Sequence, residues 1–427
     1  MSETSKILRH LDEDYSIRIR DPIWKDVTLS DPLAAMIGCG AFQKLHRIKQ
    51  LGPTYLIYPG ATHTRFSHSL GVFHLARLMA RQLAGRARPG QYTLPGIQAF
   101  LCAALLHDLG HYPYAHSLKD LKVAEHEHLT ARRITENDEL ASLIRRGLGV
   151  SPEKVAEIID HSLPDPDEAE IRSYRRILSG VLDPDKLDYL NRDAAFCGVP
   201  YGIQDFEFIC SQLEPVPGRG MGIRAKGLPS VESILFSKYL MYRNVYWHER
   251  VRTATAMIKK AVYLALIEGI VEPEDLYGLD DGEFVVRLLA THFPPCRLVR
   301  RVSEYRLYRC AARAPFRPEN PFHRKLESVN QRAEVEARLA DRWAVDPDAV
   351  IIDLPERISF EMDLPVVDGA EMKPYDQSGS VFNAEVVGRF AHSLRTISLL
   401  VRDEPRLSKI PQAMDIAGFF EAGAVAG

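Results

Sequence analysis

Cysteine is scarce in this sequence and never paired in spacing. The six residues, Cys39, Cys102, Cys197, Cys210, Cys296 and Cys310, form no CxxC and no zinc-finger pattern. That excludes a disulfide framework and a thiolate metal site, and leaves reduced, packed thiols as the expectation. An excess of charge of one sign is missing too. With 54 Lys and Arg against 57 Asp and Glu, the formal net charge is −3, so there is no electrostatic footprint for nucleic acid and no basic face for a membrane. No apolar run approaches the roughly 20 residues of a membrane helix. The opening MSETSKILRHLDEDYS is charged and lacks a signal-peptide core; a cytoplasmic protein with no membrane partner is expected. There is no internal repeat and no low-complexity tract. What remains is an ordinary globular composition, 46% apolar over 427 residues, enough for a large core and two or three domains.

Histidine is what the chain concentrates. Eight of its fifteen histidines fall between His63 and His128. At the centre is CAALLHDLGHYPYAH, in which an apolar run delivers His107 and Asp108 side by side, then His111 and His116. The surrounding pattern is mainly helical. Alternation in Ile17–Leu29 predicts a strand or strand pair, and Ser30-Asp31-Pro32 a helix start. TYLIY, residues 54–58, reads as a strand ending at Pro59-Gly60. Helices are expected from Ser67 to about Gly85, Ile97 to Asp108, Glu125 to Thr135, Asp138 to Arg146, Pro152 to His161, Glu170 to Ser179 and Pro184 to Cys197. A hairpin is expected around Glu214–Gly227, then one long helix or two in line over Ser230–Glu268. Composition shifts near Asp280. Arg324–Trp343 reads as a charged helix, and 350–354, 358–362 and 365–367 as short strands, while the tail from Lys409 to the final GAVAG is weakly patterned. The fold class expected is mainly α, a helical bundle over residues 1–275 with small β-hairpins, followed by a small α+β domain over 276–427.

A first-row divalent ion needs nitrogen and oxygen donors converging from separate helices, with a coordination position left for water. His68 at one helix start, His107-Asp108 at another helix end and Asp185 in DPDKLDYLNRD offer two imidazoles and two carboxylates. Such an ion lowers the pKa of its water to about 7 and polarises a phosphoryl oxygen. A lone His-Asp pair is more often a helix end or a surface pair, so the weight rests on the constellation.

Those motifs, together with DPIWKDVTL, FQKLHRIKQLG, YPGATHTRFSHSLGVFHLA, HEHLT, DPDKLDYLNRDAAFCGVPYG and YRNVY, resemble in order the HD-domain phosphohydrolases over about residues 20–260. Within them the chain is similar to the deoxynucleoside triphosphate triphosphohydrolase branch. The resemblance implies an HD helical bundle and metal ligands at His68, His107, Asp108 and Asp185. It implies phosphate contacts at Arg65, Lys186, Tyr189 and Arg243, catalytic histidines at His111, His116 and His126, and sugar contacts at Gln50 and Asp193. The implied reaction is attack of metal-activated water on the α-phosphorus, releasing nucleoside and triphosphate. The implied cofactor is one divalent ion (Mn, Fe, Zn, Ni, Co or Mg), with additional Mg carried by the triphosphate. The implied assembly is a homodimer or homotetramer.

The sequence also departs from the branch. Lys119 replaces an acid three residues after His116, with Asp120 one place on as a substitute carboxylate. Tyr112 replaces a glycine and is expected to narrow the site. Val251 stands where an aromatic closes on the sugar C2′, and Gly38 and His46 stand where guanine-activated members carry an acid and an arginine. The alternatives are therefore another HD-type phosphomonoesterase or phosphodiesterase, and a weakly catalytic nucleotide sensor. Plain roles are also available: Arg65 as a helix-start surface residue, Lys186 and Tyr189 as a solvated and a half-buried side chain, His63, His74 and His128 as core or rim residues, and His161 as a helix C-cap.

Overall fold

The computed structural model describes residues 1–369, 371–403 and 407. The expectation for the tail from Lys409 onward falls outside them. Within the described residues the Arg65–Arg86 helix is buried on nearly every side, with Phe66, Leu70, Val72, Phe73, Leu75, Ala76 and Met79 all inside. A helix buried on nearly all sides belongs at the centre of a bundle. The Leu94–Leu106 helix packs along it and is apolar on every face from Ile97 to Leu106 apart from Gln98. Its start is set locally: the Thr93 side chain accepts from Gly96 N, and a proline occupies the first turn. The third central helix, Pro184–Cys197, is capped by Asp183 and stops at Gly198, whose φ of 67° is left-handed. Each Leu or Phe buried in this way contributes about 1.5–3 kcal/mol, so the three helices form a stiff frame.

The strands are β1 (Ile17–Asp21), β2 (Lys25–Leu29), β3 (Leu213–Val216), β4 (Gly220–Arg224), β5 (Arg309–Pro315), β6 (Val350–Asp353), β7 (Pro365–Asp368), β8 (Glu371–Pro374) and β9 (Thr396–Val401). β1 and β2 pair as an antiparallel hairpin with Ile17 opposite Leu29. β3 and β4 form the expected hairpin, and β7 joins it in parallel, Ile223 opposite Val366, giving the order β3-β4-β7-β8. The third sheet has the order β5-β9-β6, all antiparallel. The C-terminal strands thus extend a sheet begun by the helical part of the chain.

Several local expectations are corrected. TYLIY is not a strand: Gly52–Leu56 is a 3-10 helix with Pro53 in its first turn, and Tyr58 folds back through its hydroxyl onto Asn244 O. β-Branched and aromatic content outvotes a nearby Pro and Gly only where a neighbouring strand exists to pair with, and among the described residues no strand pairs with 54–58. The run 358–362 is likewise unpaired, and 354–364 has no regular secondary structure. Arg324–Trp343 is split into Pro321–Lys325 and Val329–Trp343, the second capped by the Ser328 side chain. The 230–268 stretch is two helices, Leu228–Met241 and Glu249–Ile267, joined by a π-helical turn over Tyr242–Tyr246. That wider turn aims Tyr242, Tyr246 and Trp247 inward, as π-turns at functional sites often do.

Candidate active site

The C-terminal end of Leu94–Leu106 meets the N-terminal ends of Arg65–Arg86 and Pro184–Cys197, and the predicted donors sit at that junction. His68 Nε2 lies 2.9 Å from Asp185 Oδ1 and 3.9 Å from Asp108 Oδ2; His107 Nε2 lies 3.4 Å from Asp108 Oδ1. Ligand atoms of His68, His107 and Asp185 all fall within 4.8 Å of one another. Burial lowers the pKa of His68, but Asp185 and Asp188 on either side outweigh it and push it up to about 10. The spot therefore favours positive charge. His107 Nδ1 donates to Ala104 O at 3.0 Å, which turns Nε2 inward, where it is buried without a hydrogen-bond partner. An orphaned imidazole nitrogen aimed among carboxylates fits a divalent cation.

Asp188, which sequence reasoning passed over, orients His68. Its Oδ2 accepts from His68 Nδ1 at 2.7 Å and from Arg192 Nε at 2.8 Å, and its Oδ1 accepts from Arg192 Nη2 and Trp24 Nε1. Arg192 in turn reaches Asp21 at 2.8 Å. Space for this knot is made by Gly71: a Cβ there would lie 1.8 Å from Asp188 Oδ1. The signal was present, since Asp185 and Asp188 are three apart and share a helix face.

The turn after His107 is held by a second unpredicted residue. Thr130 Oγ1 donates to His107 O at 2.9 Å and accepts from Gly110 N at 2.8 Å, clamping the turn to the His126–Glu136 helix. That helix brings His126 against His111, ring centroids 3.8 Å apart, with His116 at 4.8 and 4.9 Å from the two. Both ring nitrogens of His111 are buried without a hydrogen bond, Nε2 lying 3.3 Å from Asp108 Oδ1. Burial, then Arg65 and His126, hold the His111 pKa well down; burial and His126 also lower that of His116. Arg65 donates to Asp108 Oδ2 at 2.6 Å. Burial raises Asp108, but Arg65, His107, His111 and His68 outweigh it and keep it ionised.

A cavity of about 520 Å³ opens over this cluster, lined by Arg65, His68, Asp108, His116, His126 and Asp185 at one end. Gln50, Tyr189 and Asp193 line it further along, with Gln50 Oε1 buried and unpartnered. Asp193 accepts from Tyr246 OH at 2.7 Å and contacts His63 Nε2 at 2.8 Å, so His63 is a partner of this wall. Val251 also lines it.

Three expected roles are not met by the geometry. Arg243 is exposed, bonded to Tyr239 OH at 3.0 Å and outside the cavity lining, because the π-turn points its neighbours inward instead. Lys186 is absent from the lining, its ammonium held by Gly180 O at 2.8 Å and Asp183 at 2.7 Å and covered on the cavity side by Glu361 at 3.5 Å. Asp120 does not orient a histidine: it pairs with Lys259 and, at 2.6 Å, with Arg332. The carboxylate on the histidine cluster is Glu127, 3.0 Å from His126 Nδ1, while Lys119 pairs with Glu125 at 3.1 Å. Tyr112 is 2% exposed, packs on Tyr277 and does not line the cavity.

The HD domain model matches residues 65–192, the stretch that carries every central donor, and the HD associated region model matches 205–385. Residues 65–192 are an HD domain. The chain is 36% identical over 274 residues to the uncharacterized protein YwfO of Bacillus subtilis (strain 168), covering 62% of this chain and 61% of that one. It is 28% identical over 273 residues to the deoxynucleoside triphosphate triphosphohydrolase SAMHD1 of Gallus gallus, 56% of this chain and 44% of that one. The HD-domain chain described here therefore aligns over about three fifths of YwfO and under half of SAMHD1. A crystal structure of a hypothetical protein from Aquifex aeolicus has the same fold, with a TM-score of 0.70 at 24% identity over 93% of this chain and 99% of that one.

Proposed function

We propose that this cavity is the active site of a metal-dependent phosphohydrolase, and that its reaction is hydrolysis of a deoxynucleoside triphosphate to nucleoside and triphosphate. The observation that carries the reading is the convergence of His68, His107, Asp108 and Asp185, with His68, Asp108 and Asp185 lining a cavity that Arg65, His116 and His126 also line and His107 directly behind them. A divalent ion held by those four residues supplies Lewis acidity to water and to a phosphoryl oxygen. Arg65 binds an anionic oxygen by charge-assisted hydrogen bonds and at the same time keeps Asp108 ionised. Glu127 Oε2 lies 3.0 Å from His126 Nδ1 as an ion-pair contact, and His126 Nε2 is on the side of His111 and Asp108. His116 and His126 carry a proton to the departing 5′ oxygen. The low basicity of His116, set by burial and by the neighbouring His126 and Arg65, rises when a polyanion enters, because its charge offsets those cations. Gln50, with a free buried oxygen, and Asp193 hold the sugar hydroxyl.

The name of the Gallus gallus relative supports the nucleotide triphosphate. A second reading, a phosphomonoesterase or phosphodiesterase of the same family, is favoured by Arg243 lying outside the cavity, which removes one contact for a long phosphate chain. The grounds for a non-catalytic sensor are weaker, since Tyr112 stays out of the cavity and Glu127 supplies the carboxylate that Lys119 lacks. The test is a panel of deoxynucleoside and nucleoside triphosphates with Mn²⁺, Mg²⁺, Co²⁺ and Zn²⁺, with products separated by chromatography. Triphosphate as the product supports the reading. Orthophosphate or pyrophosphate shifts it to the second, and binding without any product overturns both.

A further inference from the structure

The irregular segment 354–364 crosses the cavity mouth between β6 and β7 and brings Glu356, Arg357, Ile358, Ser359 and Glu361 into its lining. It does so beside the cations a phosphate chain would need. Glu361 Oε2 lies 3.3 Å from Lys238 Nζ and 3.5 Å from Lys186 Nζ, and its Oε1 accepts from Ser359 Oγ at 2.9 Å. Lys238 comes from the Leu228–Met241 helix, 6% exposed, and its ammonium also donates to Ser359 O at 2.7 Å. Lys238 was not singled out from the sequence, yet it faces the cavity while Arg243 on the following turn does not.

The two carboxylates on this pair of lysines differ. Asp183 is 3% exposed and fixed, since it caps the Pro184–Cys197 helix through Lys186 N. Glu361 is 37% exposed in its side chain and sits on a segment with no backbone ladder. Two acids on two lysines leave this corner with no net positive charge, although it adjoins a site read as binding polyphosphate. A phosphate oxygen makes the same charge-assisted bonds to an ammonium as a carboxylate does.

Resting on the proposed function, we infer that Lys238 is a phosphate-binding residue and that Glu361 is its exchangeable counter-ion, displaced from Lys238 and Lys186 when a polyphosphate chain enters the cavity. Glu361 then sets a threshold by phosphate chain length. A single phosphate group held near Arg65 leaves the Glu361 contacts in place, and a chain of three replaces them.

The experiment is isothermal titration of inorganic tripolyphosphate, and separately of orthophosphate, into the full metal-loaded chain. Glu361→Gln is expected to bind tripolyphosphate about fivefold or more tighter, with little change for orthophosphate, because a like charge has been removed beside the ligand. Lys238→Met is expected to weaken tripolyphosphate binding about tenfold, as loss of a charged hydrogen bond does, and to shrink the gain from Glu361→Gln in the double variant. Glu361→Asp, which keeps the charge but retracts it, serves if the amide variant does not fold and is expected to fall between. Tripolyphosphate affinity that is unchanged or weaker in both Glu361 variants overturns the inference alone, provided Arg65→Ala still abolishes binding. Absence of any binding by the unaltered chain overturns the proposed function as well.

Discussion

Asp188 is the most exacting test of how the metal cluster is built. Asp188→Asn keeps the shape and removes one charge at a position with 0% side-chain exposure. Four donors converge on its two oxygens: His68 Nδ1, two Arg192 nitrogens and Trp24 Nε1. An amide can face only one oxygen toward them, so at least two donors lose an acceptor. Arg192 also loses one of its two anionic partners and keeps Asp21. Breaking a buried ion pair costs about 3–5 kcal/mol, and with Asp21 still in place the lower end, about 3 kcal/mol, is expected for the metal-stripped chain. Loss of a group that orients a metal-binding imidazole lowers affinity by about 10–100-fold, equivalent to about 1.4–2.8 kcal/mol. Urea unfolding of the stripped protein measures the first, and Mn²⁺ or Zn²⁺ titration of the folded variant the second. Asp185→Ala is the control. Its side chain is 40% exposed, so it should lose metal and activity together with little loss of stripped-chain stability. If Asp188→Asn costs under about 0.5 kcal/mol, the range of an ordinary surface change, and binds metal as before, the orienting role is refuted.

Two further outcomes follow from the packing. A Cβ at Gly110 would lie 2.3 Å from Thr130 N and 2.4 Å from His126 O; Gly110→Ala must push the His126–Glu136 helix away, costing about 1–3 kcal/mol and reducing kcat as His126 moves. An unchanged Tm with unchanged kcat would show that the helix is not docked there. Lys44 is buried with its ammonium donating to His111 O at 3.1 Å. Burial, with Arg133 adding and Glu283 and Asp280 opposing, lowers its pKa from 10.5 to about 7. The unfolded chain therefore binds more protons than the folded one between about pH 7 and 10.5, and wild-type stability rises across that window. Lys44→Met should remove this slope, stabilising the chain relative to wild type most at pH 6 and least near pH 10.5. Parallel stability profiles by urea unfolding from pH 6 to 10.5 would refute it.

The frame and the histidine-rich motifs are legible in the sequence because both are short-range signals. Pro184–Cys197 matches its expected bounds, and the hairpin at 213–224 and the helices around the histidines fall within a few residues of expectation. Periodicity and caps are written within one or two turns of chain. The failures share the opposite property. TYLIY and 358–362 have strand composition, but strand formation needs a partner edge supplied by distant residues. Arg243, Lys186 and Asp120 are the right residue types beside the right motifs, yet their side chains are claimed by Tyr239, Asp183, and Lys259 with Arg332.

By itself, then, the sequence determined a mainly helical chain and the motifs that resemble an HD domain, with His68, His107, Asp108 and Asp185 as candidate donors, since apolar period and motif spacing are local and survive any arrangement of the remainder. Only tertiary structure decided which cations face the cavity and which carboxylates neutralise them. Glu361 meets Lys238 across 123 residues of chain and Asp188 meets His68 across 120. An ion pair falls off with distance in space, and no pattern along the chain encodes that distance.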